Sequence, residues 1–168
     1  DPDSRSFGSK VDTLYNAAVS GQSASFPRVS PDGKYLMYTV SGYGNFSIWH
    51  KDADLCMFDL STGTQVPTEE ANSPDTDSYH SWSSNSKWVV FSSRRLDGLY
   101  TRPFIAHVGE GGILSKPFVL PQKSTDYYTL LTKSYNIPEF VKGKVKTDTY
   151  KLVSQIKEGK NRKISFTK

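Results

Sequence analysis

At 168 residues, with 36% hydrophobic and 23% charged side chains, the chain has the size and balance of one folded domain rather than of a disordered or fibrous protein. No apolar run approaches the ~20 residues that cross a bilayer as a helix, and the single cysteine, Cys56, excludes an internal disulfide. The net charge of +4 is unevenly placed: residues 142–168 hold nine Lys and Arg against Asp148 and Glu158, so the basicity belongs to the tail and the first 141 residues carry −3.

The chain opens Asp1-Pro2-Asp3 without an initiator Met, as expected of a processed protein or a fragment, and residues 1–10 are polar and expected to be loose. Val11 to Asn16 has strand character, and Ser20 to Ser25 reads as a loop. Phe26 to Ser30 predicts a short strand. Ser30-Pro31-Asp32-Gly33 is a turn, with proline presetting one φ and glycine supplying a positive one. Tyr35 to Val40 is a continuous apolar run, expected of a strand covered on both faces. A loop follows at 41–45, a strand at 53–60, a hairpin turn ending at Gly63, and a short outer strand at 65–68. Glu69 to Ser78 is acidic and turn-rich, so it is expected to be a surface connection.

The pattern then restarts. Tyr79 to Ser83 predicts a strand, 84–86 a degraded copy of the first turn, and Trp88 to Ser93 a buried strand. Arg94 to Gly98 is a loop, Tyr100 to Val108 a third strand, Gly109 to Gly112 a hairpin, and Lys116 to Leu120 an outer strand. At an offset of 53, Ser30 meets Ser83, Asp32 meets Asn85, Gly33 meets Ser86, Lys34 meets Lys87 and Tyr35 meets Trp88. A unit repeating at about 40–50 residues is the mark of a propeller blade or a similar array, whose apolar faces are covered by neighbouring copies. Beyond Gln122 the strand rhythm fades. Residues 126–140 are aromatic and predict a helix or an ordered strap. Residues 148–158 place Tyr150, Val153 and Ile156 at helical spacing. The last ten residues are basic and expected to fray.

The segment Ser30-Pro31-Asp32-Gly33-Lys34, with the apolar Tyr35-Leu36-Met37-Tyr38 after it, resembles the repeat of TolB-like β-propellers. Residues Asp54 to Gly63 look like the third strand and hairpin of that repeat. The second copy departs from it at Ser84-Asn85-Ser86. The run Tyr79 to Ser83, with Trp88 to Arg95 and Tyr100 to Pro103, is similar to large propeller proteins of Bacteroidetes. The resemblance covers about residues 11–140. It implies an all-β, partial β-propeller with two four-stranded antiparallel blades at 21–74 and 75–122. An incomplete preceding blade would end at 1–20, and a short helical or irregular strap and basic tail would occupy 123–168. Because propellers close with four to eight blades, two blades imply a larger parent or association with other copies. A location in the periplasm or cell envelope follows from the resemblance alone.

Composition and motifs point to no chemistry. His50, His80 and His107 lack metal-ligand spacing. There is no Gly-x-Ser-x-Gly elbow and no phosphate loop at Gly109–Gly112, and the acidic residues between 69 and 77 lack the order of a calcium loop. Cys56 falls in an apolar strand and is expected to be an inert thiol. No cofactor, metal or catalytic group is therefore expected. The residues selected for partner contacts are Tyr43, Trp49, Arg94, Arg95, Tyr100 and Arg102, in or beside the loops expected at one rim, 41–52 and 94–99. Arginines beside aromatic rings suit an acidic or planar partner, while the plainer alternative is a solvated loop with ordinary ion pairs to residues such as Asp97. The expected function is a non-enzymatic scaffold that binds a protein or ligand, with self-association through open blade faces. Two alternatives remain: the accessory propeller of a peptidase or glycan-active enzyme, and a polyanion-binding module led by the tail. The dispersed tail charges match no nucleic-acid motif.

Overall fold

The structure, a computed structural model, describes residues 8, 9 and 11–159. It is mostly β, with two four-stranded antiparallel sheets and little helix. The first sheet runs in chain order through β1 (Ser23–Val29), β2 (Tyr35–Ser41), β3 (Asp54–Asp59) and β4 (Thr64–Val66). The second repeats that order through β5 (Asp77–Trp82), β6 (Trp88–Ser93), β7 (Arg102–His107) and β8 (Phe118–Val119). Short helices flank the sheets: α1 (Ala17–Ser20), α2 (Tyr127–Leu130) and α3 (Thr149–Glu158).

The repeat is visible at the level of single bonds. In the first copy the Ser30 hydroxyl donates to Asp32 Oδ1 at 2.7 Å, the amides of Lys34 and Tyr35 donate to Asp32 Oδ1 and Ser30 Oγ, and the Ser30 amide donates to the Tyr35 carbonyl. In the second copy Ser83, Asn85, Lys87 and Trp88 make the same four bonds, the hydroxyl bond again at 2.7 Å. The Ser84-Asn85-Ser86 segment is thus the same turn. Asn85 supplies the oxygen that Asp32 supplies, and Ser86 takes a φ of 59° where Gly33 takes 74°. Each copy also carries a register shift in its first strand, between Ser25 and Arg28 and between Ser78 and Ser81. Phe26 and Tyr79 sit at those bulges, both with φ of 54°.

The core lies between the sheets. Met37, Leu55, Met57 and Val66 of the first meet Val89, Phe91, Phe104 and Ala106 of the second, all buried. Burying a side chain of this size stabilises by roughly 1.5–3 kcal/mol, so this layer holds the two copies together. Strand β5 also bonds directly to the first sheet. The Asp77 amide donates to the Ala53 carbonyl at 2.7 Å, the Trp82 indole to the Arg28 carbonyl at 3.1 Å, and His80 Nε2 lies 3.0 Å from the Met37 carbonyl.

The outer face of the second sheet is crossed by a strap, residues 131–141. The Ser92 hydroxyl donates to the Asn136 carbonyl, the Tyr135 amide to the Thr101 carbonyl, and Phe140 borders Trp88. An exposed ion pair, Arg28 to Glu139 at 3.3 Å, ties the far end of the strap to β1.

Three expectations change. Residues 11–16 form no strand: Asn16 instead caps α1 by accepting from the Ala18 amide, and Tyr15 packs its ring on Tyr38 at 5.5 Å. A strand needs a neighbouring edge for its backbone groups, and none of the described edges runs beside this segment. The incomplete preceding blade therefore has no strand here. The 69–78 connection is not simply superficial, because Ala71, Thr76 and Asp77 are fully buried. Between 20 and 25 the chain is already in β1 from Ser23. The expected loose ends lie largely outside the described residues.

Candidate binding site at the shared loop rim

The loops after β2 and β6 come together at one end of the molecule, and the two repeat turns meet at the other. At the turn end the Asp32 amide donates to Ser86 Oγ at 3.0 Å. The Ser30 hydroxyl, together with the Lys34 amide, holds the Asp32 carboxyl below its usual range against the opposing effect of burial. At the loop end the Arg94 guanidinium lies over the Trp49 ring, 5.1 Å from its centroid.

Beside this pair is a cavity of about 320 Å³. Its walls come from three places: Phe46, Ile48 and Trp49 in the β2–β3 loop, Arg94, Leu99 and Thr101 around the β6–β7 loop, and Ser134 to Asn136 of the strap, with Tyr79 between them. Phe46, Trp49 and Leu99 remain about two-thirds exposed. Phe46 adopts φ 50° and ψ 52°, a left-handed conformation that is rare for a bulky residue. It initiates the short 3-10 turn Ser47–Trp49. That turn is anchored from below by the buried Ser47 and Ile48, and the Ser47 and Ser78 hydroxyls bond at 2.8 Å.

The six residues chosen from the sequence divide into two groups. Tyr43 and Trp49 are exposed, 65% and 66%. Tyr43 packs on His50, ring centroids 3.8 Å apart, while His50 Nε2 bonds the Asn45 carbonyl. Trp49 is on the cavity. The three arginines lie inward instead of in a solvated loop. Arg95 pairs with the buried Asp77 at 2.6 Å, donates to the Ala71 carbonyl and covers the rings of Phe91 and Phe104. Arg102 is 1% exposed. Its guanidinium donates to the carbonyls of Tyr128, Leu131 and Lys133, between the rings of Tyr100 and Tyr128. Those carbonyls belong to the end of α2 and the start of the strap, where helical carbonyls lack an internal partner. Arg102 also lies 3.7 Å from Asp97. Burial raises the Asp97 carboxyl, but the amides of Tyr100 and Leu99 and the charge of Arg102 prevail and hold it below its usual range. Tyr100, half-buried, serves this arrangement.

Only Arg94 joins Trp49 at the cavity, so the structure brings together two of the six. Phe46, Leu99, Tyr79 and the strap residues were not singled out from sequence. The signal for Phe46 was available in its position directly after the Gly-rich turn at 42–45, but the strap's path is a tertiary fact.

Other chemistry-bearing groups are wholly or partly buried. Burial pushes the Cys56 thiol up to about 11, with Asp54 and Glu69 adding to it, so the thiolate is disfavoured. Burial likewise drives His80 down to about 4, against the opposing bond to the Met37 carbonyl. Among the described residues no three His, Cys, Asp or Glu side chains are grouped so as to hold a metal ion. No described helix is long and apolar enough to cross a membrane. A comparison of the sequence with known protein families finds no family that matches, and a comparison with curated proteins finds no match either.

Proposed function

We propose that the two sheets are neighbouring blades of a TolB-like β-propeller, and that the chain is a non-enzymatic binding scaffold whose contact surface is the loop rim. The resemblance of the repeat supports the propeller reading. So do the identical strand order, bulge position and turn bonding of the two sheets. The cell envelope as location rests on the resemblance alone.

The observation that carries the binding role is the pair Phe46 and Trp49. Both rings stand exposed on a short turn whose base is buried, beside a cavity, and Phe46 is held in a conformation that costs energy. Costly backbone conformations gather at sites of recognition, and aromatic side chains give large contact area with few torsions to restrict. A random peptide library selected on the full chain tests the reading. Enriched peptides should bind the unmodified protein and lose at least about tenfold in affinity with Phe46→Ala and Trp49→Ala together. Failure to enrich any peptide, or enrichment of peptides indifferent to both changes, overturns it.

A further inference from the structure

Among the described residues Arg94 is the one charged side chain lining the cavity, and its bonding is incomplete. Only 9% of it is exposed. Its Nη2 donates to the Gly98 carbonyl, yet its buried Nε has no hydrogen-bond partner among the described residues. No described carboxylate lies within ion-pair distance of it. Asp97, in the same loop, acts on it through charge alone and is already bonded by the Leu99 and Tyr100 amides and paired with Arg102. A guanidinium this deeply buried is costly without a bonded anion, and Arg94 lines a space walled mainly by apolar and aromatic side chains.

We propose that this cavity takes a planar apolar group carrying a single carboxylate, with the ring against Trp49 and Phe46 and the carboxylate on Arg94. The proposal rests on the rim being a binding surface and adds the class of ligand. At about 320 Å³ the cavity is at the small end of ligand sites, enough for one ring and a short chain. One guanidinium matches one carboxylate, the planar two-oxygen partner its fork is shaped for. A doubly charged phosphate would need a second cation, and Arg102 is used by the strap. Such a group occurs in a free aryl-alkyl acid and at the C-terminus of a peptide ending in Phe.

Calorimetric titration of the full chain with four probes separates these sources: 3-phenylpropionate, its amide, a pentapeptide ending in Phe with a free carboxylate, and the same peptide amidated. At least one acid should bind about tenfold or more tightly than its amide. Trp49→Ala should weaken that acid, and Arg94→Gln should remove its advantage. Binding of the free acid but not the peptide identifies a small-molecule site, and the converse a peptide C-terminus; both support the proposal. Equal binding of acid and amide overturns it, as does binding untouched by Trp49→Ala, or no binding by any probe. If the selected peptides still bind through Phe46 and Trp49 in those cases, the ligand class alone has failed. The acid–amide comparison in the unmodified chain decides the matter even if Arg94→Gln does not fold.

Discussion

Phe26 and Tyr79, 53 positions apart, occupy the same place in the two sheets and touch: their rings meet edge to face with centroids 4.9 Å apart. Both residues hold φ at 54° to do so. The bulges therefore act as a joint, each turning an aromatic side chain out of its strand toward the other copy. Replacing either by Ala should destabilise the protein, and a double-mutant cycle should show a coupling of about 0.5–1.5 kcal/mol beyond the separate losses. Urea unfolding of the two single variants and the double variant measures it. Strict additivity would mean the rings only fill space.

Gly33 shows what the turn requires of its backbone. Its φ is 74°, and a Cβ built there meets nothing within 4 Å. Gly33→Ala should cost about 1–2 kcal/mol from conformation alone. The equivalent Ser86 already bears that cost, which its hydroxyl offsets in part by accepting from the Asp32 amide. Ser86→Gly should therefore shift stability by less than about 1 kcal/mol, because the relief and the lost bond oppose each other. Thermal denaturation of both variants compares them.

His80 gives the fold a pH dependence. Its folded value of about 4 lies below the ordinary 6.5, so the folded state refuses a proton that the unfolded chain accepts. Stability is then complete above pH 6.5 and falls as pH drops toward 4, by about 3 kcal/mol in all. The depressed carboxyls of Asp32, Asp59 and Asp97 contribute at lower pH, below the usual carboxylate value. Unfolding free energies between pH 7 and 4 should slope in the native chain and flatten in His80→Gln. An unchanged slope in the variant would place the dependence elsewhere.

Arg95 and Asp77 are a pair whose members cannot be removed singly without cost. The Asp77 carboxylate is fully buried and, among the described residues, otherwise accepts only from the Ser73 amide and hydroxyl. Arg95→Met should cost about 3–5 kcal/mol, because a buried carboxylate loses its counter-charge. The double change Arg95→Met with Asp77→Asn should recover part of that loss in the same unfolding assay.

Arg102 predicts a local effect. Arg102→Leu removes the donors that hold the Tyr128, Leu131 and Lys133 carbonyls. Hydrogen exchange should quicken across 127–141 and limited proteolysis should cut there first, while amides of β2 and β3 keep their protection. Uniform loss of protection over both sheets would show instead that the strap is part of one cooperative unit.

The strands were legible where side-chain type and strand pairing agree. Trp88 to Ser93 was bounded to the residue, because an apolar run after a turn has one reading when both its faces are covered. The turn at 84–86 looked degraded because proline and glycine are its usual signs, whereas its bonds need only an oxygen at Asn85 and tolerance of positive φ at Ser86. Val11 to Asn16 misled because strand propensity says nothing of a partner edge. The arginines misled for the opposite reason. Arginine is mostly exposed, and nothing local shows that the strap, some 30 residues later, returns with unpaired carbonyls for Arg102. The rim cavity was half visible, in Trp49 and Arg94, and half supplied by that same returning segment.

The strap also gives the molecule a direction. Sheets that pile broad face on broad face can extend without limit in both senses, which is how open-ended fibres grow. With the Asn136 carbonyl bonded to the Ser92 hydroxyl, part of the second sheet's outer face is already covered. The covered part of that face is closed to a further sheet laid upon it.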